Sequence, residues 1–179
     1  MTIEDVQVVI TRETTPVTQA GFGLPLIVGA KGTTTYDTLG YCICNTLADV
    51  AALVPADGDD PGTAGTEVYK IAQKIFAQTP APEKIAVVWL NMTTPEALTT
   101  ALTALMAAGH NDWYFLLSGS QTAANVDALA AFAAANDKLY FGSMTNTVLG
   151  TLDDTTLALD RAVILCHKNA ATQYPAEAW

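Results

Sequence analysis

The sequence predicts an α/β fold: a three-layer sandwich around a mostly parallel sheet, with an extended N-terminal strand or arm. Three observations carry this. The run at 84–90, KIAVVWL, is short, apolar and rich in adjacent β-branched residues, which is how a strand covered on both faces reads. Amphipathic helical patterns flank it on both sides. The same strand–helix alternation then repeats to residue 143, which is a βαβαβ unit, and such units build parallel sheets with helices on both faces.

In chain order, residues 3–10 alternate, with Ile3, Val6, Val8 and Ile10 as the apolar positions of a strand and its flank. Residues 11–23 are a Thr/Pro/Gly-rich tether without periodicity. Residues 1–23 are therefore expected as a strand on a loose tether, and 24–179 as the core domain. Such a strand can pair with its own sheet or be lent to a neighbour's, and both options stay open. The run LPLIVG at 24–29 is a second buried strand, with Pro25 at its entrance. A short strand is expected at 40–44 and a short helix at 47–54, capped by Asn45 or Thr46. The segment 55–65, PADGDDPGTAG, is a loop.

A helix is expected at 66–78, with Val68, Ile71, Ala72, Ile75 and Phe76 on one stripe. The next runs over 94–108. Pro95 suits its first position, Glu96 its first turn and Gly109 its stop. A strand at 113–118, a helix from Gln121 or Thr122 to Ala135, and strands at 139–143 and 162–166 complete the core. Residues 144–160 read mostly as loop, and 169–179 as irregular.

Composition excludes several classes of function. The chain has 179 residues, half of them hydrophobic and 15% charged, so one domain with a sizeable core is available. The net charge is −10 and the pI about 4.3. That balance repels phosphate backbones and anionic lipid, so neither nucleic acid nor membrane is expected as a partner. No apolar run reaches the roughly 18 residues of a membrane span, and the N-terminus lacks the pattern of a signal peptide. Three cysteines without metal-type spacing fit a reducing compartment.

Candidate chemistry is sparse. The strand C-termini offer Asn91-Met92-Thr93, Ser118-Gly119-Ser120 and Ser143-Met144-Thr145. Ligands of open α/β sheets bind at such ends, but these residue types are also what βα turns and helix caps need. Gly21-Phe22-Gly23 precedes a strand where a dinucleotide fingerprint would follow one. Ser118-Gly119-Ser120 lacks the frame of a nucleophile elbow. Asp57, Asp59 and Gly62 match three positions of a calcium loop, but Pro61 and Val68 stand where ligands are needed. Asn91-Met92-Thr93 fits a glycosylation sequon that is idle without secretion. Cys42 and Cys44 share one face of a strand, and His110 and His167 have no local partner of catalytic type. No catalytic, metal or cofactor site is therefore expected.

Several stretches in order resemble the sheath protein of contractile phage tails, in the compact group of myophages and prophages. They are FGLPLIVG at 22–29, LADV at 47–50, and VYKIAQKIFAQ at 68–78 running through Pro80-Ala81-Pro82 into the strand at 84–90. Trp113-Tyr114, Tyr140-Phe141, Arg161, His167 and Tyr174-Pro175 continue the pattern. The resemblance implies a structural, non-enzymatic subunit that forms a helical homo-oligomer around a tail tube protein. Assembly in the host cytoplasm, location in the virion tail, and contraction that drives the tube into the host envelope go with it. On this resemblance, Ile3, Val6, Val8 and Ile10 are the expected arm residues. Family members continue into a C-terminal, tube-contacting region. This chain stops at Trp179, so that region is expected to be absent and the chain not to polymerise alone. The alternatives are a small α/β enzyme, a hydrolase or nucleotide-binding domain using the strand C-terminal turns, and a non-phage α/β interaction domain.

Overall fold

A computed structural model describes residues 24–30, 40–53, 64–90, 92–120, 122–145 and 160–167. The expected arm residues Ile3, Val6, Val8 and Ile10, the tether and the acidic loop at 55–63 lie outside the described residues. The elements follow in the order β1 (Pro25–Ala30), β2 (Tyr41–Cys44), α1 (Leu47–Leu53), α2 (Ala64–Phe76), β3 (Ile85–Leu90), α3 (Pro95–Ala107), β4 (Phe115–Ser118), α4 (Ala123–Ala135), β5 (Leu139–Thr145) and β6 (Ala162–His167).

The strands form one six-stranded sheet in the order β2-β3-β1-β4-β5-β6. Five are parallel, and β2 runs antiparallel on the β3 edge. The fold is the expected α/β sandwich with a mostly parallel sheet. The strand–helix alternation over 84–143 holds in chain order, but β1 sits between β3 and β4 in space. The strand at 84–90 is consequently one place in from the edge, and β1 is the more central.

The reason lies in the path of the chain. From β1 it moves outward to β3, then crosses back over β1 to β4, and continues to β5 and β6. Crossovers of one hand then place the first helices and the later ones on opposite faces. Val68, Ile71 and Ile75 of α2 and Val50 of α1 pack on Ile27, Val87 and Leu117. Leu98, Leu102, Val126 and Leu129 of α3 and α4 pack on Leu26, Val88, Leu116 and Tyr140. Alternate residues of each strand serve alternate layers, as the two-residue period requires.

Local signals set the ends. Thr46 Oγ1 accepts from the Asp49 N–H at 3.2 Å, and Asp49 Oδ2 accepts from the Thr46 N–H at 2.9 Å. This reciprocal cap starts α1 and holds the Asp49 carboxyl below its usual range, first through the Asn45 and Thr46 backbone N–H groups. Thr94 Oγ1 accepts from the Ala97 N–H to start α3, with Pro95 in its first turn. Gly109, at φ +92°, ends it in a backbone conformation that costs a Cβ-bearing residue about 1–2 kcal/mol. The connector then tucks inward. Trp113, 1% exposed, donates its Nε1–H to the His110 carbonyl at 3.0 Å. Lys138 lies over its ring, 4.7 Å from the centroid, and donates Nζ–H to the Trp113 carbonyl at 2.7 Å.

Among the described residues, not every buried polar side-chain atom has such a partner. Tyr140 is fully buried, and its Oη finds no hydrogen bond, nor does Asp127 Oδ1. An unmet buried hydroxyl costs about 1–3 kcal/mol. Urea denaturation is therefore expected to show Tyr140→Phe at least as stable as the parent. Ile27→Ala, in the same assay, is expected to lose about 2–5 kcal/mol through its cavity.

Candidate functional site

Two kinds of place could carry function in this fold: the crevice at the strand C-termini and the free edges of the sheet.

The crevice is fixed by topology. The strand order reverses between β1 and β4, and ligands of doubly wound sheets bind outside the strand ends at such a point. β1 ends in Gly29-Ala30 and β4 runs into Ser118-Gly119-Ser120. The space directly over both glycines is filled. The Trp89 ring lies on Gly29, where a Cβ would overlap it, and the Glu67 side chain lies on Gly119 in the same way. Ser120 is tied down, because Asn125 Nδ2–H donates to Ser120 Oγ at 3.1 Å and to the Met92 carbonyl at 3.2 Å. The Ser120 N–H donates to Ser118 Oγ at 3.1 Å, closing the turn. Both serines thus serve the turn and its tie to Asn125 in the first turn of α4, in keeping with the turn-residue reading of the sequence.

Glu67 is the functional candidate that sequence reasoning missed. It belongs to the first turn of α2 and follows a loop, which reads as an ordinary helix-start acid. Only the fold brings it onto Gly119. Burial pushes its carboxyl up to about 7, while Lys70 pulls the other way. A carboxyl poised near neutrality at a switch point has the protonation balance of a general acid or base.

The remaining candidates separate. Cys42 and Cys44 do share one strand, β2. Burial raises both thiols, and Cys44 reaches about 11 through burial first and then Cys42 and Asp49. Such thiols stay protonated near pH 7 and are poor nucleophiles. His110 follows α3 and stacks on Tyr41 of β2, with ring centroids 4.2 Å apart. His167 closes β6, on the opposite edge. Those edges are five strand spacings apart, about 24 Å, so the two histidines cannot share a metal ion. No group of three or more metal-ligating side chains occurs among the described residues, and no described helix is long and apolar enough to cross a membrane.

The edges are the other candidate. Among the described residues, no strand pairs with the outer side of β2 or β6. The exposed large hydrophobic residues among those described lie on these two strands, Ile43 on β2 at 43% and Val163 on β6 at 39%. β6 spells AVILCH, without the proline or lysine that usually blunts an edge. Its outward groups follow from the register. The Tyr140 N–H donates to the Arg161 carbonyl at 2.9 Å, and Tyr140 is level with Ala162. Residues 161, 163 and 165 therefore bond inward to β5, leaving the N–H and C=O groups of Ala162, Ile164 and Cys166 facing out.

The chain matches no protein-family model and no curated protein.

The crevice yields a pH test. The Glu67 carboxyl titrates near 4.5 when unfolded and near 7 when folded, so the folded state holds its proton more tightly. Stability from this group is full below about pH 4.5 and is lost as pH rises through about 7. Chemical denaturation between pH 5 and 8 is expected to show this loss, of about 1–2 kcal/mol for a partly buried carboxyl, and Glu67→Gln is expected to remove it. A slope that Glu67→Gln leaves unchanged contradicts the placement of Glu67 on Gly119.

Proposed function

We propose that the chain is a structural subunit of a contractile phage tail sheath, acting by lending and accepting strand edges rather than by chemistry. The observation that carries this reading is that, among the described residues, no strand pairs with the outer sides of β2 and β6, at opposite ends of one sheet. An edge is a row of unpaired N–H and C=O groups that templates another strand. Edges on opposite sides favour head-to-tail contacts, which give a helical array when they do not close into a ring. The resemblance along residues 22–175 supplies the rest: a helical homo-oligomer around a tail tube protein, located in the virion tail and assembled in the bacterial cytoplasm. In that arrangement Ile3, Val6, Val8 and Ile10 form the strand passed to a neighbour, and the rigid α/β core moves as a body during contraction.

Glu67 favours a second reading, a small α/β enzyme working at the strand C-terminal turns. There Glu67 is the acid or base and the Ser118–Ser120 turn holds the substrate. The two readings part at Ile164. Proline at this position removes an outward N–H and leaves the β5 ladder intact.

The test is sedimentation velocity with negative-stain microscopy, on the protein alone and mixed with the tail-tube protein encoded beside it. The sheath reading expects small species alone, large tubular assemblies in the mixture, and loss of those assemblies in Ile164→Pro. Protein that stays monomeric in both samples at every concentration overturns the reading. So does a gene neighbourhood without a tail-tube gene.

A further inference from the structure

Glu67 stands where the packing of α2 calls for an apolar side chain. It shares one row of the helix with Ile71 and Ile75, because side chains at i and i+4 lie one above the other. Ile71, Ile75 and the adjacent Val68 are buried against the sheet. Glu67 extends that row over the end of β4 and is half-buried there.

Gly119 is what lets it lie there. Its backbone does not take the left-handed conformation that favours glycine, as Gly40 and Gly109 do, so the turn itself would accept a side chain. A Cβ at 119, however, would meet Glu67 Cδ at 2.9 Å and Glu67 Cβ at 3.0 Å, and would overlap Oε2. The Glu67 carboxyl thus occupies the volume that a side chain at 119 would fill. The floor beneath it is fixed, because Ser118 and Ser120 close the turn and Asn125 holds Ser120. The movable part is the carboxyl on its flexible stem.

Two positions of that stem suit opposite charge states. The inward position suits the neutral acid, since burial disfavours charge and pushes the carboxyl up to about 7. An outward position suits the carboxylate. Water solvates it there, and Lys70, at i+3 spacing on the same helix, attracts it. Lys70 already pulls against the effect of burial. The elements packed around α2 add little to this balance. Strands β1, β3 and β4 carry no titratable side chain, and Asp49 of the neighbouring α1 is engaged by the N–H groups of its own cap.

We propose that Glu67 is a proton-operated plug of the switch-point crevice: protonated, it lies on Gly119 and closes the space over the 118–120 turn; ionised, it swings outward toward Lys70 and vacates that space. Each pH unit changes the ratio of the two charge states about tenfold, so the plug passes from mostly in to mostly out between about pH 6 and pH 8. The device is independent of the strand edges, and its failure leaves the sheath reading untouched.

The test is nuclear magnetic resonance on the isotope-labelled full chain, following Overhauser contacts between the Glu67 side chain and the Gly119 α-protons from about pH 5 to about pH 9. This needs no substitution. The contacts are expected to be strong at the acid end and to fade in step with the titration of the Glu67 Cδ signal. In Glu67→Gln, which cannot ionise, they are expected to persist throughout. Denaturation gives a second readout. Gly119→Ala displaces the inward carboxyl, so its penalty on the unfolding constant is expected to shrink about tenfold between about pH 6 and pH 8 in the parent, a change of about 1.4 kcal/mol. In the Glu67→Gln background that penalty is expected to be the same at both pH values. Contacts that survive ionisation of the carboxyl overturn the proposal, because Glu67 then ionises in place. So does a Glu67 carboxyl that titrates in the ordinary carboxylate range, or a Gly119→Ala penalty that pH leaves unchanged in the parent.

Discussion

Everything in this fold depends on the burial of β1 from four sides. Strands β3 and β4 pair with its two edges, and helices cover its two faces. Leu26, Ile27 and Val28 are at most 1% exposed, so each inward and outward position must be apolar and of the right size. At Gly29 even a Cβ is excluded, because the Trp89 ring and Val68 occupy its place. Seating β1 between β3 and β4 creates the switch point, places α2 opposite α3 and α4, and sends β2 and β6 to the two ends of the sheet. The crevice and the edges are both consequences of where this one strand lies.

Much of this was legible in the residues. The apolar runs at 24–29 and 84–90 contain no polar alternation, and both proved to be strands buried on both faces. The helix at 94–108 announced itself through Pro95, Glu96 and Gly109, and of its expected stripe of Leu98, Leu102, Leu105 and Met106 the three leucines are buried and Met106 is half-buried. Helix α4 was readable from Val126, Leu129, Ala130 and Ala133 at helical spacing, and all four are buried. What local patterns do not encode is strand order. Period and propensity identify a strand, while neighbours are decided by long-range pairing, so the insertion of β1 between β3 and β4 was not visible. Glu67 escaped for the same reason. Its contact is Gly119, more than fifty positions away in the chain, and nothing near residue 67 signals it.

The crevice and the edges differ in what they offer. At the switch point, side chains already occupy the space over both glycines, and the serines are spent on the turn and its tie to Asn125. One poised carboxyl remains. On the proposed reading the backbone of the edges is the functional group, and it needs no particular side chain beyond those that avoid blocking it. That reading accounts for how little recognisable site chemistry the described residues present. Function by edge requires apolar residues, correct register and the absence of proline and lysine from β6, and a sequence scan reads all of these as ordinary packing.

The central claim is that the outer edge of β6 is free in the isolated chain and filled in the assembled state. Hydrogen–deuterium exchange of the amides of Ala162, Ile164 and Cys166 tests it directly. The account predicts fast exchange at these three positions in the free protein and strong protection in the assembly, while the inward amides of Val163 and Leu165 are protected in both. Protection of the outward amides in the free protein, or their unchanged exchange on assembly, would contradict it.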